Sequence, residues 1–155
     1  VYTAQVDMTA MCKKVAAQMA LLAAEKRLQL EQAVQDNLVM QGDEMALSRL
    51  LIILLDNAMK YSPEQTKITL RAAKVKNYLV LEVCDEGCGI GDEDKQKIFD
   101  RFFRVDKARS RSQGGLGLGL SLALAIVRQH GGSIKVSDNK PQGTIMSVQL
   151  PVEVK

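Results

Sequence analysis

Two short glycine-rich stretches hold the residue types that ligand chemistry needs. The first is Asp85-Glu86-Gly87-Cys88-Gly89-Ile90-Gly91, where three glycines alternate with other residues directly behind an apolar run. Glycine lets a backbone take positive φ and lets a ligand approach without a side chain in the way. Asp85 then stands at the end of the preceding strand, where a ligand would meet its carboxylate. The second is Gly114-Gly115-Leu116-Gly117-Leu118-Gly119-Leu120, which runs into a helical pattern over 121–129. Glycines opening a helix present backbone N–H groups and the positive end of the dipole, which suits a phosphate. Either stretch alone is equally well a solvated turn. Two, each abutting regular structure, read as a nucleotide site.

The elements that must position these stretches follow from periodicity. Residues 1–8 lean towards β structure, with Asp7 and Thr9 as candidate helix caps. Over 11–26, Met11, Val15, Met19 and Leu22 recur at helical spacing, which predicts a helix packing one face on a core. Residues 27–34 and 38–40, separated by Asp36-Asn37, read as two strands joined by a tight turn. Asp43 and Glu44 after Gly42 open a long helix over 45–61. Its middle, Leu50-Leu51-Ile52-Ile53-Leu54-Leu55, is apolar on every side, which predicts burial between layers. Residues 68–73 and 78–83 form a hairpin through 74–77. Residues 92–97 are short and charged, Ile98-Phe99-Asp100-Arg101-Phe102-Phe103 holds all three phenylalanines, and 105–113 has no period. A helix over 116–129 ends at Gly131-Gly132, with Arg128 and His130 favourably near its negative end. Strands over 134–137 and 144–150 flank the turn 138–143. Three substantial helices and about six strands predict an α+β fold: a two-layer sandwich with a mixed, mostly antiparallel sheet and helices on one face.

Composition bounds what such a domain can do. At 155 residues it is one domain with room for a substantial core. A net charge of +3 is too mild to argue for nucleic acid, and without Trp there is little to stack bases on. Lys107, Arg109 and Arg111 are interleaved with serines and read as loop. Cys84 and Cys88 bracket the first glycine turn while Cys12 is distant, and one histidine cannot complete a structural zinc site. Free thiols in a reducing compartment are expected. No apolar run reaches the ~20 residues of a membrane span. The chain reads as an excised soluble domain, itself making no membrane contact.

The order of motifs resembles the ATP-binding catalytic domain of bacterial sensor histidine kinases, in the Bergerat-fold group. Leu54-Leu55-Asp56-Asn57-Ala58-Met59-Lys60-Tyr61-Ser62-Pro63 is similar to the family's N box, and Asp85-Glu86-Gly87-Cys88-Gly89-Ile90 to its D-x-G-x-G-I box. Residues Ile98 to Arg104 resemble the F box, and Gly115-Leu116-Gly117-Leu118-Gly119-Leu120 the second glycine box. Gly143-Thr144 and the strand ending Leu150-Pro151 fit the closing element. The likeness runs from about Asp43 to Pro151.

The resemblance implies roles. Asn57 would ligate Mg²⁺ through its amide oxygen, Lys60 neutralise phosphate charge and the Tyr61 ring flank the adenine. Asp85 would accept from the adenine amino group, with Thr144 supporting it and Gly87, Gly89 and Ile90 shaping the turn. Gly115, Gly117, Leu118 and Gly119 would hold a lid over residues 105–114 and the next helix against the phosphates. Arg104 is either a γ-phosphate contact or a surface ion pair, and the phenylalanines are either core or the lid's hinge. The γ-phosphate would pass to a histidine on a dimerisation and phosphoacceptor domain absent here, and from there serve a response regulator. The setting implied is cytoplasmic, with a parent protein anchored in the bacterial membrane. Other readings are a nucleotide-binding module without transfer and a serine-directed relative. His130 lacks the phosphoacceptor context and reads as a helix-end residue. Two positions depart from the family: Ile53, where Asn is common, and Leu116, where Ser or Thr is. Relatives that hydrolyse ATP carry glutamate at the Ile53 position, so its absence favours transfer over hydrolysis.

Overall fold

The computed structural model of the chain describes residues 4–95, 97–99 and 119–153. A short strand β1 (Gln5–Asp7) leads into helix α1 (Met8–Glu25). Asp7 caps α1, its Oδ1 accepting from the Ala10 N–H at 3.0 Å. That satisfies one of the four amides that a helix start leaves without partners. Thr9 has another task. Its hydroxyl donates to the Gln35 carbonyl at 2.7 Å and accepts from the Leu38 N–H at 2.9 Å. It thereby staples the link between β2 (Gln29–Val34) and β3 (Val39–Gln41) to the start of α1.

These two strands are not the tightly joined pair expected. β3 pairs antiparallel with β1, whereas β2 pairs parallel with β4 (Lys67–Val75). Alternation identifies a strand but carries no information about its partner. Between β3 and β4 lies helix α2 (Glu44–Tyr61), capped by Asp43, whose Oδ1 accepts from the Ala46 N–H at 3.3 Å. β4 then forms a hairpin with β5 (Tyr78–Cys84) through only Lys76 and Asn77. Lys76 sits at φ 55, the left-handed region that two-residue hairpin loops demand. A 3-10 turn (Lys97–Phe99), helix α3 (Gly119–Gln129), β6 (Ser133–Asp138) and β7 (Thr144–Pro151) complete the described chain. The main sheet runs β2-β4-β5-β7-β6, and only its β2–β4 pair is parallel.

Alternate residues of a strand point to one face, and here that face is apolar. Ile68, Leu70 and Ala72 of β4, Leu79, Leu81 and Val83 of β5, and Met146, Val148 and Leu150 of β7 are all buried. Val15 and Met19 of α1, Leu50 and Leu54 of α2, and Ile126 and Val127 of α3 join them in one core. The other face carries polar groups such as the Arg71–Glu82 ion pair at 3.7 Å. The fold is therefore the α+β two-layer sandwich that the pattern predicts. Two details differ. Leu22, expected on the buried face of α1, is 46% exposed. In α2, Ile52 is 39% exposed and Ile53 only half-buried, so the apolar run is not enclosed all round. A helix lying on a single sheet keeps one flank free, whatever its composition there.

Candidate nucleotide site

The chain leaves β5 at Cys84, and Asp85 stops beside the first residue of β7. Its N–H donates to the Thr144 carbonyl at 2.9 Å, continuing the sheet by one bond. The side chain is buried, with only 8% exposure. Oδ1 accepts from the Gly87 N–H at 2.9 Å and the Thr144 N–H at 3.2 Å. Oδ2 accepts from no described residue. Burial pushes this carboxyl above its ordinary value, and the two N–H groups pull it part of the way back. A buried carboxylate with an unanswered oxygen is unfavourable unless a donor is supplied from outside.

The first glycine turn is packed against backbone on both sides. A Cβ on Gly87 would lie 2.5 Å from the Tyr61 carbonyl oxygen, so this turn abuts the end of α2 directly. On the opposite side Gly143, at φ 122, leaves no room between its own Cα and the Asp85 carbonyl. Gly89 takes φ 78, Ile90 packs on the edge of the core and Thr144 is buried. A recess of about 570 Å³ opens between residues 88–91 and 138–143. Its lining includes Gly89 and Ile90 but not Asp85 or the end of α2, so it flanks the turn and is not the whole site.

Asn57, Lys60 and Tyr61 share one face of the last turn of α2, as spacings of three and four require. All three are half-buried. Lys60 pairs with Asp56 at 3.2 Å, one turn back. The Asn57 carboxamide makes no hydrogen bond with the described residues. Ile53 lies one turn before Asn57, and its Cγ2 is 3.5 Å from where a Cβ on Gly119 would sit. The Ile53 side of α2 therefore meets the opening of α3. The fold thus gathers α2's end, Asp85, Gly87, Gly89, Ile90 and Thr144 around one turn, and brings Gly119 against α2. Arg104, Gly115, Leu116, Gly117 and Leu118 lie outside the described residues.

Residues 42–154 match the family of histidine kinase-, DNA gyrase B-, and HSP90-like ATPases. The chain belongs to that family. Among its relatives, the sensor protein CiaH of Streptococcus pneumoniae is 50% identical over 111 residues, covering 72% of this chain and 25% of that protein, and the signal transduction histidine-protein kinase ArlS of Staphylococcus aureus is 43% identical over 112 residues, covering 72% and 25%. The chain spans about a quarter of the length of the curated relatives it matches. Among solved structures, the mycobacterial sensor histidine kinase MprB superposes with a TM-score of 0.83 over 100% of both chains, at 28% identity. Full-length ShkA in complex with AMPPNP gives 0.82 at 27% identity, covering 96% of this chain and 30% of that one.

In this ATPase-family domain the lone histidine has a structural task. His130 is 2% exposed and ends α3, where the Gly132 N–H returns to the Val127 carbonyl at 2.9 Å. Its Nδ1 faces the Ile126 carbonyl at 2.9 Å, which can only accept, so Nδ1 donates. Its Nε2 accepts from the Asp43 N–H at 3.1 Å. With Nδ1 donating and Nε2 accepting, both ring nitrogens are engaged with backbone partners. His130 ties the end of α3 to the cap of α2. Sequence reasoning also passed over Asn139 and Gln142, which contact the Asp85–Gly87 backbone. They read as ordinary turn residues, and only their partners distinguish them.

Proposed function

We propose that this domain binds ATP with Mg²⁺ and donates the γ-phosphate to a histidine on the phosphoacceptor domain of a parent sensor kinase, which in turn serves a response regulator. The observation that carries the nucleotide part is the Asp85 carboxylate, with Oδ1 fixed by two N–H groups and Oδ2 unanswered among the described residues. Adenine offers an amine to such an acceptor. A base with a carbonyl at that position would leave the carboxylate unpaired, which is how buried polar groups discriminate. The likeness to ShkA, a structure with AMPPNP, supports an adenine nucleotide.

The remaining roles rest on the likeness of the motifs to the family, and for Tyr61, Asn57 and Lys60 their place at the end of α2 supports them. Tyr61 abuts the glycine turn and is suited to flank the base. The half-buried Asn57 carboxamide fits a hard cation that takes its other oxygens from phosphate and water. Mg²⁺, when bound, offsets phosphate charge. Lys60 sits one turn edge away and can offer its ammonium to phosphate in exchange for Asp56. Gly119, with Gly115, Gly117 and Leu118 before it, would present α3's N-terminus, and Arg104 would meet the γ-phosphate. Residues 1–155 are proposed as one catalytic domain on the cytoplasmic side of a membrane-anchored parent. No helix among the described residues is long and apolar enough to cross a membrane.

Phosphoryl transfer needs an in-line nucleophile, and His130 is buried with both ring nitrogens engaged. Incubated with radioactive ATP, the isolated domain should therefore take up no label, yet label its own phosphoacceptor domain when that is added. Acid-labile label on the fragment itself, lost on His130→Gln, would overturn the assignment. Label reaching no histidine of the added domain would overturn transfer.

Ile53 is expected to be a weak point of the phosphate side. It lies about 40° around the helix from Asn57 and meets Gly119, yet offers no hydrogen bond. Ile53→Asn should tighten Mg·ATP binding about fivefold, the effect of roughly 1 kcal/mol. A titration showing unchanged or weaker affinity together with a lower melting temperature would place Ile53 in the apolar wall instead.

A further inference from the structure

We propose that the β6–β7 turn is a brace for the Asp85 carboxylate, with Asn139 and Gln142 as positioning residues for recognition of the base. The inference rests on the nucleotide reading above. Asn139 Nδ2 donates to the Asp85 carbonyl at 2.7 Å, and Gln142 Nε2 donates to the Gly87 carbonyl at 2.9 Å. The Thr144 N–H meets the carboxylate itself at Oδ1. Thus one turn holds the backbone of Asp85, the backbone of the residue whose N–H orients it, and one of its two oxygens.

The turn is held in its own place from two sides. Within it, the Asn139 N–H donates to the Gly143 carbonyl at 3.0 Å. At its start, Asp138 pairs with Lys95 at 3.1 Å, and Lys95 also pairs with Asp92 just beyond the glycine loop. Such support has a physical reason. A segment with glycine at 87, 89 and 91 has wide backbone freedom, so it cannot hold a carboxylate in one orientation alone. A donor held from 54 or 55 residues away in sequence supplies the rigidity the loop lacks.

The test uses Asn139→Asp and Gln142→Glu, which keep side-chain shape but turn the donor into an acceptor. ADP and inosine diphosphate, which has a carbonyl where ADP has the amine, are used to displace a fluorescent ADP analogue, and each variant's melting temperature is measured alongside. Each variant should bind ADP about tenfold more weakly, roughly the effect of one hydrogen bond to a charged site's frame. Inosine diphosphate should be displaced from this pattern: its weaker binding stays unchanged, so the preference for ADP narrows about tenfold. If the charged variants do not fold, Asn139→Ala and Gln142→Ala remove the donors without adding charge and give the same readout. ADP affinity within twofold of wild type in folded variants overturns the brace, as does a parallel loss for both nucleotides, which marks a merely structural role. A wild-type domain that binds no ADP overturns the nucleotide reading and the brace with it. Wild-type binding with unaffected variants overturns the brace alone.

Discussion

Asp85→Asn should abolish adenine-nucleotide binding and at the same time raise the melting temperature of the nucleotide-free domain at pH above the raised range of the Asp85 carboxyl. The carboxamide can keep its oxygen towards the Gly87 and Thr144 N–H groups, which hold Oδ1 at 2.9 and 3.2 Å. Its NH₂ then stands where Oδ2 stood, so an incoming amine meets a donor instead of an acceptor. A loss of about 3 kcal/mol at a buried charged acceptor lowers affinity on the order of a hundredfold or more. The stability effect has the opposite sign. Burial raises the Asp85 carboxyl in the folded state, so the folded domain holds that proton more tightly than the unfolded chain. Its stabilising protonation is fully present below the unfolded value and is lost as pH rises through the raised folded one. Once pH has passed that raised range, the free domain carries a buried charge that asparagine removes. The gap in melting temperature between variant and wild type should close on acidification through the raised carboxyl range. Calorimetry showing adenine nucleotide bound equally well by the variant would refute the site. A variant that melts lower than wild type above that range would refute the unanswered oxygen.

Gly143→Ala is the second large effect, and it should take the fold and the site together. Gly143 has φ 122, and a Cβ there would overlap the Asp85 carbonyl oxygen while lying 2.8 Å from its carbon and 2.9 Å from the Glu86 Cα. All three are backbone atoms, so no rotamer change can relieve the contact. The left-handed conformation adds roughly 1–2 kcal/mol for any residue with a Cβ, and displacing the start of β7 should bring the total to about 3 kcal/mol or more. For a chain of this size that is a fall of about 10 °C in melting temperature. Gly91→Ala is the control, since a Cβ there comes no nearer than 4.0 Å to Glu93 Cγ and the backbone is not left-handed. It should melt within about 2 °C of wild type. A Gly143→Ala domain that melts like this control would show the β6–β7 turn to be free to move away from Asp85.

The parts of this protein legible from residues alone are those with local causes. Alternation over 68–73, 78–83 and 144–150 places three strands because side chains on a pleat must choose a face. Asp7 and Asp43 marked helix starts because a short carboxylate reaches its own helix's free amides, as both do here. The paired glycine stretches pointed to a nucleotide because only glycine permits backbone where a Cβ would collide, as Gly87 illustrates against Tyr61. Spacing likewise fixed that Asn57, Lys60 and Tyr61 share a face.

What depended on tertiary structure has no local cause. β2 and β3 look like neighbours in sequence, yet each pairs with a strand on another segment, because strand partners are chosen by packing across the whole sheet. The exposure of Ile52 follows from α2 having one sheet beneath it and nothing printed in its own residues. His130 reads from its sequence as a helix-end residue, but its ring reaches across the fold, since the Asp43 N–H that it accepts from lies 87 residues away. Asn139 and Gln142 are the sharpest case. As residues they are ordinary turn formers, and only the fold brings their amides to the carbonyls of Asp85 and Gly87. A hydrogen bond's value depends on distance and angle to a particular partner, and the sequence pattern of one segment holds no record of what the chain will bring alongside it.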